Sequence, residues 1–383
     1  MKRLNFLRAF YVFAAVLALS LCLAGCYGAS GSGALTGPSG GDSSFGNSSA
    51  GEGSPGPLSS GELPQNGLQV HFIDVGQGDS ILIRQKDHSM LVDAGENDQG
   101  DVVVSYLKSQ GIDQLDYVIG THPHSDHIGG LDDVIQSFEV DRVFLPPIEH
   151  TTATFEEVLD AIEVKDLSLT LPQVGDVWEL GEASFTILAP NKDYGDDLNN
   201  WSIGIRVEYG DNHFVLCGDA EAQAEADICA NGLPLGADVL KAGHHGSSTS
   251  TSDLFLDQVA PSWVVIQCGK DNSYGHPHKE TLEKLKGRGI GVLRTDLEGT
   301  LIAASDGEEI SWYKAEGGFL SPSAGESPAA REETYILNTN TKKFHRPDCS
   351  SVSQMQAENR REYTGSREAL MDDGYSPCGQ CKP

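Results

Sequence analysis

The sequence predicts an α/β domain in which short apolar strands alternate with helices and end in polar clusters. Residues 68–75 alternate apolar and polar side chains as strands do, and residues 101–110 have helical spacing that stops at Gly111. Apolar runs at 203–209 and 213–217 flank a short turn, which is typical of a hairpin. Because rigid strands aim loop side chains in layered α/β enzymes, we expect the polar clusters to form a site.

The most informative polar cluster directly follows an apolar strand predicted at 115–120. Its pattern, His-x-His-x-Asp-His, is supplied by His122, His124, Asp126 and His127. Imidazole nitrogens and carboxylate oxygens are ligands for zinc and related divalent ions, and this many donors can serve two adjacent ions. The alternative is a solvated polar loop, but loop chemistry favours Gly, Asn and Ser over His. The cluster therefore predicts a metal site, and a catalytic one.

Further polar clusters follow later apolar runs in the same way. They are Asp219, the adjacent pair His244 and His245, and the pair His276 and His278. With the first cluster, they resemble the metallo-β-lactamase-like hydrolase superfamily, an αββα sandwich with a two-metal site. The resemblance is closer to the extracellular hydrolase domain of the competence DNA-uptake channel, the ComEC family. The matching stretches are residues 72–79, 93–95, 121–130, 218–220, 241–247 and 274–278, within 68–312.

The resemblance implies two divalent ions, Zn²⁺ or Mn²⁺, and a role for each donor. His122 and His124 would hold one ion, and Asp126 and His127 the second. Asp219 would bridge the two ions, and His244, which leaves its strand first, would complete the second site. Two such ions can activate a water molecule and polarise the group it attacks.

The remaining catalytic roles follow from the same resemblance. Asp126 would orient the attacking water and accept its proton. His245 would lie near the substrate. His276 and His278 would sit at the mouth, donating to a phosphate oxygen or protonating the leaving group.

The sequence departs from the superfamily pattern at one ligand. The superfamily commonly has another His between the first cluster and the bridging Asp, and residues 199–202 (Asn-Asn-Trp-Ser) occupy that place here. We expect Asn200 or Ser202 to contribute an oxygen or bind substrate. Zinc is the default for His ligands, whereas manganese suits more oxygen donors. Lys241 would pair with a phosphate, or with an acidic neighbour.

Some candidate residues also have a purely structural interpretation. Asp74 and Asp93 suit turn geometry and could serve only there. His71 alternates with apolar residues, as a hydrogen-bonded core histidine does.

The N-terminal segment predicts export and a lipid anchor. Basic residues precede an apolar run at 9–23, which defines a signal peptide at 1–25. Its Leu-Ala-Gly-Cys ending resembles the lipobox of bacterial lipoproteins, in which the cysteine, here Cys26, is lipidated. An uncleaved anchor is the alternative, but the run is short for a spanning helix. Residues 26–66, rich in Gly, Ser and Pro, predict a flexible tether. The expected location is therefore extracytoplasmic, anchored to the cell membrane.

Charge divides the rest of the chain. Residues 67–330 carry 15 Lys or Arg against 45 Asp or Glu, whereas residues 331–383 carry 8 of each. Nucleic acid is generally held by Lys and Arg that neutralise phosphates, so the acidic part argues against an extended DNA-binding surface. It does not exclude a small phosphodiester site whose metal ions supply positive charge. We predict a hydrolase domain at 67–316 and a linker at 317–330.

The C-terminal residues 331–383 predict a small metal-binding module. Its donors are His345, Cys349, Cys378 and Cys381, a Cys₃His set suited to tetrahedral zinc. So short a segment has little core of its own, and a structural zinc would stabilise it. Disulfides are the alternative, but three cysteines cannot all pair within the module. The segment resembles the zinc module of the Ada DNA-repair protein.

A compact basic cluster lies between the ligand pairs of this module. Arg360, Arg361 and Arg367 form it and are a candidate surface for nucleic acid. The alternative is a solvated helix of balanced charge, because Glu358, Glu362 and Glu368 alternate with them.

Taken together, the sequence predicts a surface-tethered, metal-dependent hydrolase of phosphodiesters, with extracellular DNA as the leading substrate. One alternative is a hydrolase of another phosphoester or ester, such as a choline-phosphate or cell-wall ester. Another is a non-catalytic metal- or nucleic-acid-binding lipoprotein, for which the full ligand set would be unnecessary. The sequence points to no protein partner.

Overall fold

The computed structural model describes residues 63, 67–315, 319–320, 333–347, 349–365, 370, 374–378 and 381. The predicted signal peptide, Cys26, most of the predicted tether and most of the linker at 317–330 lie outside these residues. Within the described part of the chain, no helix is long and apolar enough to cross a membrane.

Sixteen strands lie between residues 67 and 320. They are β1 (Leu68–Phe72), β2 (Ile81–Gln85), β3 (His88–Val92), β4 (Gln114–Ile119), β5 (Glu139–Phe144), β6 (Leu169–Thr170), β7 (Val177–Leu180), β8 (Ala183–Ala189), β9 (Gly204–Tyr209), β10 (Asn212–Leu216), β11 (Val239–Lys241), β12 (Trp263–Ile266), β13 (Gly291–Arg294), β14 (Leu301–Ser305), β15 (Ile310–Lys314) and β16 (Phe319–Leu320).

The described helices of the same region flank these strands. They are α1 (Gly100–Ser109), α2 (Ser125–Ile128), α3 (Leu131–Ser137), α4 (Ala153–Val164), α5 (Ala222–Ala230), α6 (Asp253–Val259), α7 (Lys279–Gly287) and α8 (Thr295–Glu298), with 3₁₀ turns at Asn199–Trp201 and Gly243–Gly246.

The strands form two sheets. One has the order β16-β15-β14-β1-β2-β3-β4-β5-β6, and the other β13-β12-β11-β10-β9-β8-β7. Strands β3 to β6 run parallel, as do β10 to β13, while the other neighbouring strands of the two sheets pair in antiparallel fashion. The predicted hairpin is β9 and β10, whose strands pair in antiparallel register.

The core explains why the two sheets stack with helices outside them. Alternate residues of each sheet, such as Phe72 and Phe214, meet in a cluster between the sheets. The opposite face of the first sheet packs on helices α1 to α4, for example Leu82 with Leu107 among the same buried cluster. The second sheet likewise packs on α5, α6 and α7. Burial of both sheet faces gives an αββα sandwich, so the predicted fold is confirmed.

Helix α1 illustrates how the sequence fixes one of these elements. Val103, Val104 and Leu107 lie on one face at helical spacing and are buried. The chain leaves the helix at Gly111, which has φ +73°, a conformation that glycine adopts readily. The helix predicted at 101–110 is therefore confirmed.

The described part of residues 331–383 forms a separate small sheet. Its strands are β17 (Glu333–Asn338), β18 (Lys343–His345), β19 (Arg360–Gly365) and β20 (Ser376–Pro377), in the order β19-β17-β18-β20. Short 3₁₀ turns lie at Val352–Gln354 and Ala357–Asn359. One face carries an aromatic cluster around Phe344, and the other carries Cys349 and Cys378.

Two arginines of this sheet lie on a strand, although one interpretation of the sequence placed them on a helix. Arg360 and Arg361 are exposed on the edge strand β19, so the expectation that they lie on a solvated helix is wrong. Pairing with β17 along six residues overrides any helical preference of the segment. Arg367 and Glu368 lie outside the described residues.

Candidate metal centre

The predicted site residues converge where strands of both sheets end. The loop after β4 carries the first cluster, from Thr121 to Gly130, and belongs to the first sheet. Asp219 follows β10, the His244–His245 pair follows β11, and His276 lies beyond β12, all in the second sheet. The site thus lies along one edge of the sandwich, and loops from both sheets carry its residues.

The two histidines assigned to the first ion lie side by side. The Nε2 atom of His122 is 3.0 Å from Nδ1 of His124. His122 is fully buried, and its Nδ1 is 3.2 Å from the Thr121 hydroxyl and 3.3 Å from the Ser202 hydroxyl. Burial, and then the nearby His127, hold the pKa of His122 well below its ordinary value. His122 is therefore neutral, the form that binds a metal ion.

The second group of donors is centred on Asp219. Ligand atoms of Asp79, His127, Asp219 and His245 all lie within 4.8 Å of one another, and all four residues are buried. Asp219 Oδ2 is 3.2 Å from His127 Nε2 and 3.4 Å from His245 Nε2. Burial alone would lower the pKa of His127, but the carboxylates of Asp219 and Asp93 raise it well above its ordinary value.

Within the His244–His245 pair, His244 was expected to be the metal ligand, but the contacts favour His245. His245 Nε2 is 3.2 Å from Asp126 Oδ2, and its Nδ1 is 3.0 Å from the Gln267 carbonyl. A bond from Nδ1–H to a carbonyl is the usual way to orient Nε2 toward a metal ion. His244 lies farther out, with Nε2 3.8 Å from Asp219 Oδ2.

Backbone conformation accounts for this difference. His244 and His245 have φ values of 49° and 54°, so two consecutive residues adopt the left-handed conformation. The chain therefore turns His245 inward and leaves the His244 side chain 25% exposed, with Nδ1 3.2 Å from Glu221 Oε1. The contacts therefore favour His245 over His244 as a metal ligand, while both imidazoles line the cleft.

The three residues expected to bind substrate lie beneath the site. Asn200 is buried, and its Oδ1 accepts hydrogen bonds from the backbone N–H groups of Glu221 and Ala224 at 3.0 and 3.3 Å. The Ser202 hydroxyl accepts a 3.0 Å bond from the backbone N–H of Asp219. Neither side chain lines the cleft, so the structure does not support substrate contacts for them; both shape the loop that carries Asp219.

Lys241 is buried too, and its ammonium group pairs with Asp79. It also lies 4.0 Å from Asp219 Oδ1. Burial lowers the pKa of Lys241, but the two carboxylates more than offset this and raise it. Of the two expected partners, a phosphate or an acidic neighbour, the structure shows the acidic neighbour.

Two aspartates contribute more than their sequence positions suggested. Asp79 belongs to the buried group around Asp219. Asp93 Oδ2 is 2.8 Å from His127 Nδ1 and accepts a 2.8 Å bond from the Thr121 hydroxyl, so it orients a predicted ligand. Asp74, in contrast, accepts from the Gly76 backbone N–H and serves a turn. Asp79 and Asp93 could have been found from the sequence, because both lie beside predicted strands within the stretches that resemble the ComEC family.

The two histidines of the predicted mouth differ in placement. The His276 ring lies 5.3 Å from that of His244 and lines the cleft. Burial, and then the neighbouring imidazoles, lower the pKa of His276 to about 4, so the ring is neutral at pH 7. His278 does not line the cleft; its Nδ1 accepts a 3.0 Å bond from the backbone N–H of Ser248.

These residues enclose an open cleft of about 280 Å³. Its walls carry the carboxylates of Glu96, Asp126 and Asp219, the imidazoles of His124, His244, His245 and His276, and the side chains of Gln77, Ser125, Asn199 and Tyr274. None of these lining residues is Lys or Arg.

The donor set fits divalent metal ions. Among the described side chains, His127 Nε2, Asp219 Oδ1 and Asp79 Oδ1 are buried without a hydrogen-bond partner. Buried polar atoms normally have a partner, and a cation among these carboxylates and imidazoles would supply one. His122 and His124 with Asp219 could hold one ion, and Asp126, His127 and His245 with Asp219 a second.

A sequence model of the metallo-beta-lactamase superfamily matches residues 73–269, which contain the donors of this centre. The chain belongs to the metallo-beta-lactamase superfamily. His276, which lies beyond the matched residues, also lines the cleft.

Within the metallo-beta-lactamase superfamily, the chain is related to competence proteins. It is 33% identical over 257 residues to ComE operon protein 3 of Bacillus subtilis (strain 168), a match covering 61% of this chain and 32% of that protein. It is 30% identical over 241 residues to competence protein ComA of Neisseria gonorrhoeae, covering 62% and 32%. The chain therefore spans about a third of the length of these relatives. Ribonuclease Z of Mycobacterium sp. (strain KMS) is 28% identical over 257 residues, covering 61% and 82%.

A second donor cluster of this metallo-beta-lactamase-superfamily chain lies in the small C-terminal sheet. Ligand atoms of His345, Cys349, Cys378 and Cys381 lie within 4.8 Å of one another. The Cys349 sulfur is 3.6 Å from His345 Nδ1, and among the described residues none of the three cysteines forms a disulfide. The structure thus brings together all four residues of the predicted Cys₃His set, which fits tetrahedral zinc.

Proposed function

We propose that the chain is a surface-tethered, metal-dependent phosphodiesterase that cleaves nucleic acid, with extracellular DNA as its substrate. The observation that carries the proposal is the convergence of carboxylates and imidazoles around Asp219 at the floor of an open cleft. A closed donor set serves structure, whereas an open one leaves room for water and substrate.

The donors described above would hold the two ions. When bound, two such ions polarise a phosphate and lower the pKa of water, which is the chemistry of many phosphodiesterases. Burial raises the pKa of Asp126, but His127 and His245 lower it overall. The Asp126 carboxylate is therefore ionised at neutral pH and can accept a hydrogen bond from the attacking water, which orients it.

His276 is placed to act on the other side of the cleft. Its Nδ1 is buried and has no hydrogen-bond partner among the described residues. Because the ring is neutral at pH 7, it donates one N–H to a phosphate oxygen and does not carry a spare proton for the leaving group. Of the two roles expected from the sequence, donation to a phosphate oxygen and protonation of the leaving group, we therefore propose the first for His276.

Similarity supports the choice of nucleic acid. One relative is named competence protein ComA, another ComE operon protein 3, and a third Ribonuclease Z. The chain spans about a third of the competence relatives, so transport of DNA is not part of the proposal. The predicted signal at 1–25 and Cys26 support the tether, and palmitate labelling that disappears on Cys26→Ala would test it.

The C-terminal cluster is proposed to bind one structural zinc ion. Three of its four donors are buried, and the sheet around them has few apolar residues. A tetrahedral ion would complete this small core.

The acidic charge of residues 67–330 favours a second candidate, hydrolysis of a smaller phosphoester such as a choline-phosphate ester. Such a substrate carries few phosphates and suffers less repulsion than DNA. Direct comparison of substrates decides between the two.

The test is hydrolysis of single- and double-stranded DNA and of bis-p-nitrophenyl phosphate, with Zn²⁺ or Mn²⁺. The wild type and the exposed control variant Asp113→Ala should cleave nucleic acid when metal is present, whereas Asp126→Ala should not. Cleavage of choline-phosphate esters but not nucleic acid by the metal-loaded chain would favour the second candidate. No hydrolysis at all by a chain shown to hold its ions would contradict both.

A further inference from the structure

Tyr274 stands at the mouth of the cleft with no assigned role. Its side chain is 64% exposed, which is unusual for a large aromatic residue, and it lines the cleft. Its ring is stacked on His276, with centroids 5.7 Å apart and an interplanar angle of 20°. One face of the phenol is thus held by an imidazole of the site.

The loop that carries Tyr274 is held firmly by one side chain. The Asn272 amide donates to the backbone carbonyls of Gly269 and His276 at 2.8 and 2.6 Å. Its Oδ1 accepts from the backbone N–H groups of Tyr274 and His276 at 3.2 and 3.0 Å. All four of these contacts fix the backbone on both sides of the ring, so little freedom remains to be lost when a ligand binds.

Charge in the cleft explains why an aromatic surface would matter. The described lining residues include three carboxylates and no Lys or Arg. Proteins usually hold nucleic-acid phosphates with basic side chains, and this cleft cannot. The π-face of a nucleobase is neutral, and stacking on an aromatic ring contributes to binding without regard to sequence.

We propose that Tyr274 is a stacking platform for an unpaired base beside the phosphodiester that is cleaved. A paired base is already stacked within its duplex, so the platform selects single-stranded nucleic acid. This inference rests on the proposed phosphodiesterase function and adds the substrate form and the residue that recognises it.

The experiment compares two labelled oligomers with identical phosphates, an oligothymidylate and its abasic tetrahydrofuran counterpart. The wild type should show a KM about tenfold lower for the oligomer with bases, since stacking of one base has roughly that effect. Tyr274→Ala should raise the KM for oligothymidylate to the abasic value. Tyr274→Phe, which keeps the ring, should retain the preference.

A salt series gives an independent readout. Because the cleft lacks basic side chains, KM for the oligothymidylate should change little between 50 and 200 mM NaCl, whereas a protein that contacts several phosphates loses affinity steeply. Thermal unfolding of both variants should match the wild type, since the side chain is exposed.

Equal KM values of the wild type for the two oligomers would overturn the inference, as would a preference that survives in Tyr274→Ala, while the proposed function would stand. If the metal-loaded wild type cleaves double-stranded DNA but neither oligomer, this inference is overturned and the proposed function stands; if it cleaves no nucleic acid, both are overturned.

Discussion

The chain carries two clusters of metal-type donors that differ in ligand type and in the space beside them. The one around Asp219 is gathered from loops of two sheets and opens into a cleft of about 280 Å³. The Cys₃His cluster is gathered within a small sheet, and three of its four donors are buried. Metal sites left open at one side suit catalysis and closed tetrahedral sites suit structure. The cleft beside the Asp219 cluster therefore favours catalysis there, and the thiol-rich set of the small sheet favours a structural ion.

The two clusters also differ in what surrounds them. The open centre is carried by a sandwich with three buried apolar clusters, so the fold there does not depend on an ion. The small sheet has two clusters of only four buried residues each among those described, and Cys349 and Cys378 belong to one of them. Loss of metal should therefore abolish activity in one region and structure in the other.

The largest expected effect is that of Asp219→Asn. Loss of the central carboxylate should lower phosphodiester hydrolysis about 10³-fold, because both ions lose a ligand and the charge of the site is no longer balanced. The metal content should fall while the C-terminal ion stays. The exposed Asp113→Asn serves as control and should keep full activity; equal activity in the two variants would contradict the assignment.

The converse variant is Cys378→Ser. The C-terminal sheet should lose its zinc and become sensitive to protease, because apparent binding energies of about 10 kcal/mol are typical of structural zinc. Turnover of bis-p-nitrophenyl phosphate should stay near the wild-type value. Cys229→Ser, which removes a free cysteine of the sandwich, is the matched control. Parallel loss of turnover and zinc would show that the two clusters are not independent.

A smaller effect is expected at Asp93, which orients His127. Asp93→Asn should weaken metal binding at the open centre about 10–100-fold, the usual effect of removing such a partner. The control is Asp74→Asn, an aspartate that serves a turn. Calorimetric titration of metal ions into the two metal-free variants measures both affinities. Equal affinities would show that Asp93 only serves a turn.

Acid stability provides the smallest of these tests, through an imidazole outside both clusters. His71 is fully buried, and burial, followed by the charge of Arg84, lowers its pKa to about 3. Between pH 3 and 6.5 the unfolded chain therefore binds one more proton than the folded chain. The contribution of the neutral His71 to the free energy of unfolding is lost as the pH falls through that window. We expect the unfolding free energy to fall by about 1.4 kcal/mol per pH unit more than in His71→Gln. Identical slopes for the two proteins would contradict the assignment.

Much of this architecture could be predicted because strong local patterns carry it. The strands at 68–72, 204–209 and 212–216 were visible as apolar runs, and α1 as a helical repeat ended by glycine. The first metal cluster was visible because six consecutive positions hold most of its donors. These features depend on neighbours in sequence.

Residues were missed, or given a different expected role, where that role depends on burial or on the local backbone conformation. The order of His244 and His245 along the chain does not reveal two left-handed residues, which turn the second imidazole inward. Asn200 and Lys241 look like polar residues near a site, and only the packed structure shows that both are buried beneath it. Asp79 meets Asp219 across 140 residues of sequence, a distance over which no motif spacing predicts contact.

The most direct measurement records metal content and phosphodiester turnover in the same samples of wild type, Asp219→Asn and Cys378→Ser. We expect three ions per wild-type chain. Turnover should be lost together with the ions missing from Asp219→Asn, and it should be retained when Cys378→Ser loses its one ion. Turnover that follows the Cys378 ion, or a fully loaded wild type that hydrolyses no phosphodiester, would contradict the assignment of reaction to the open centre.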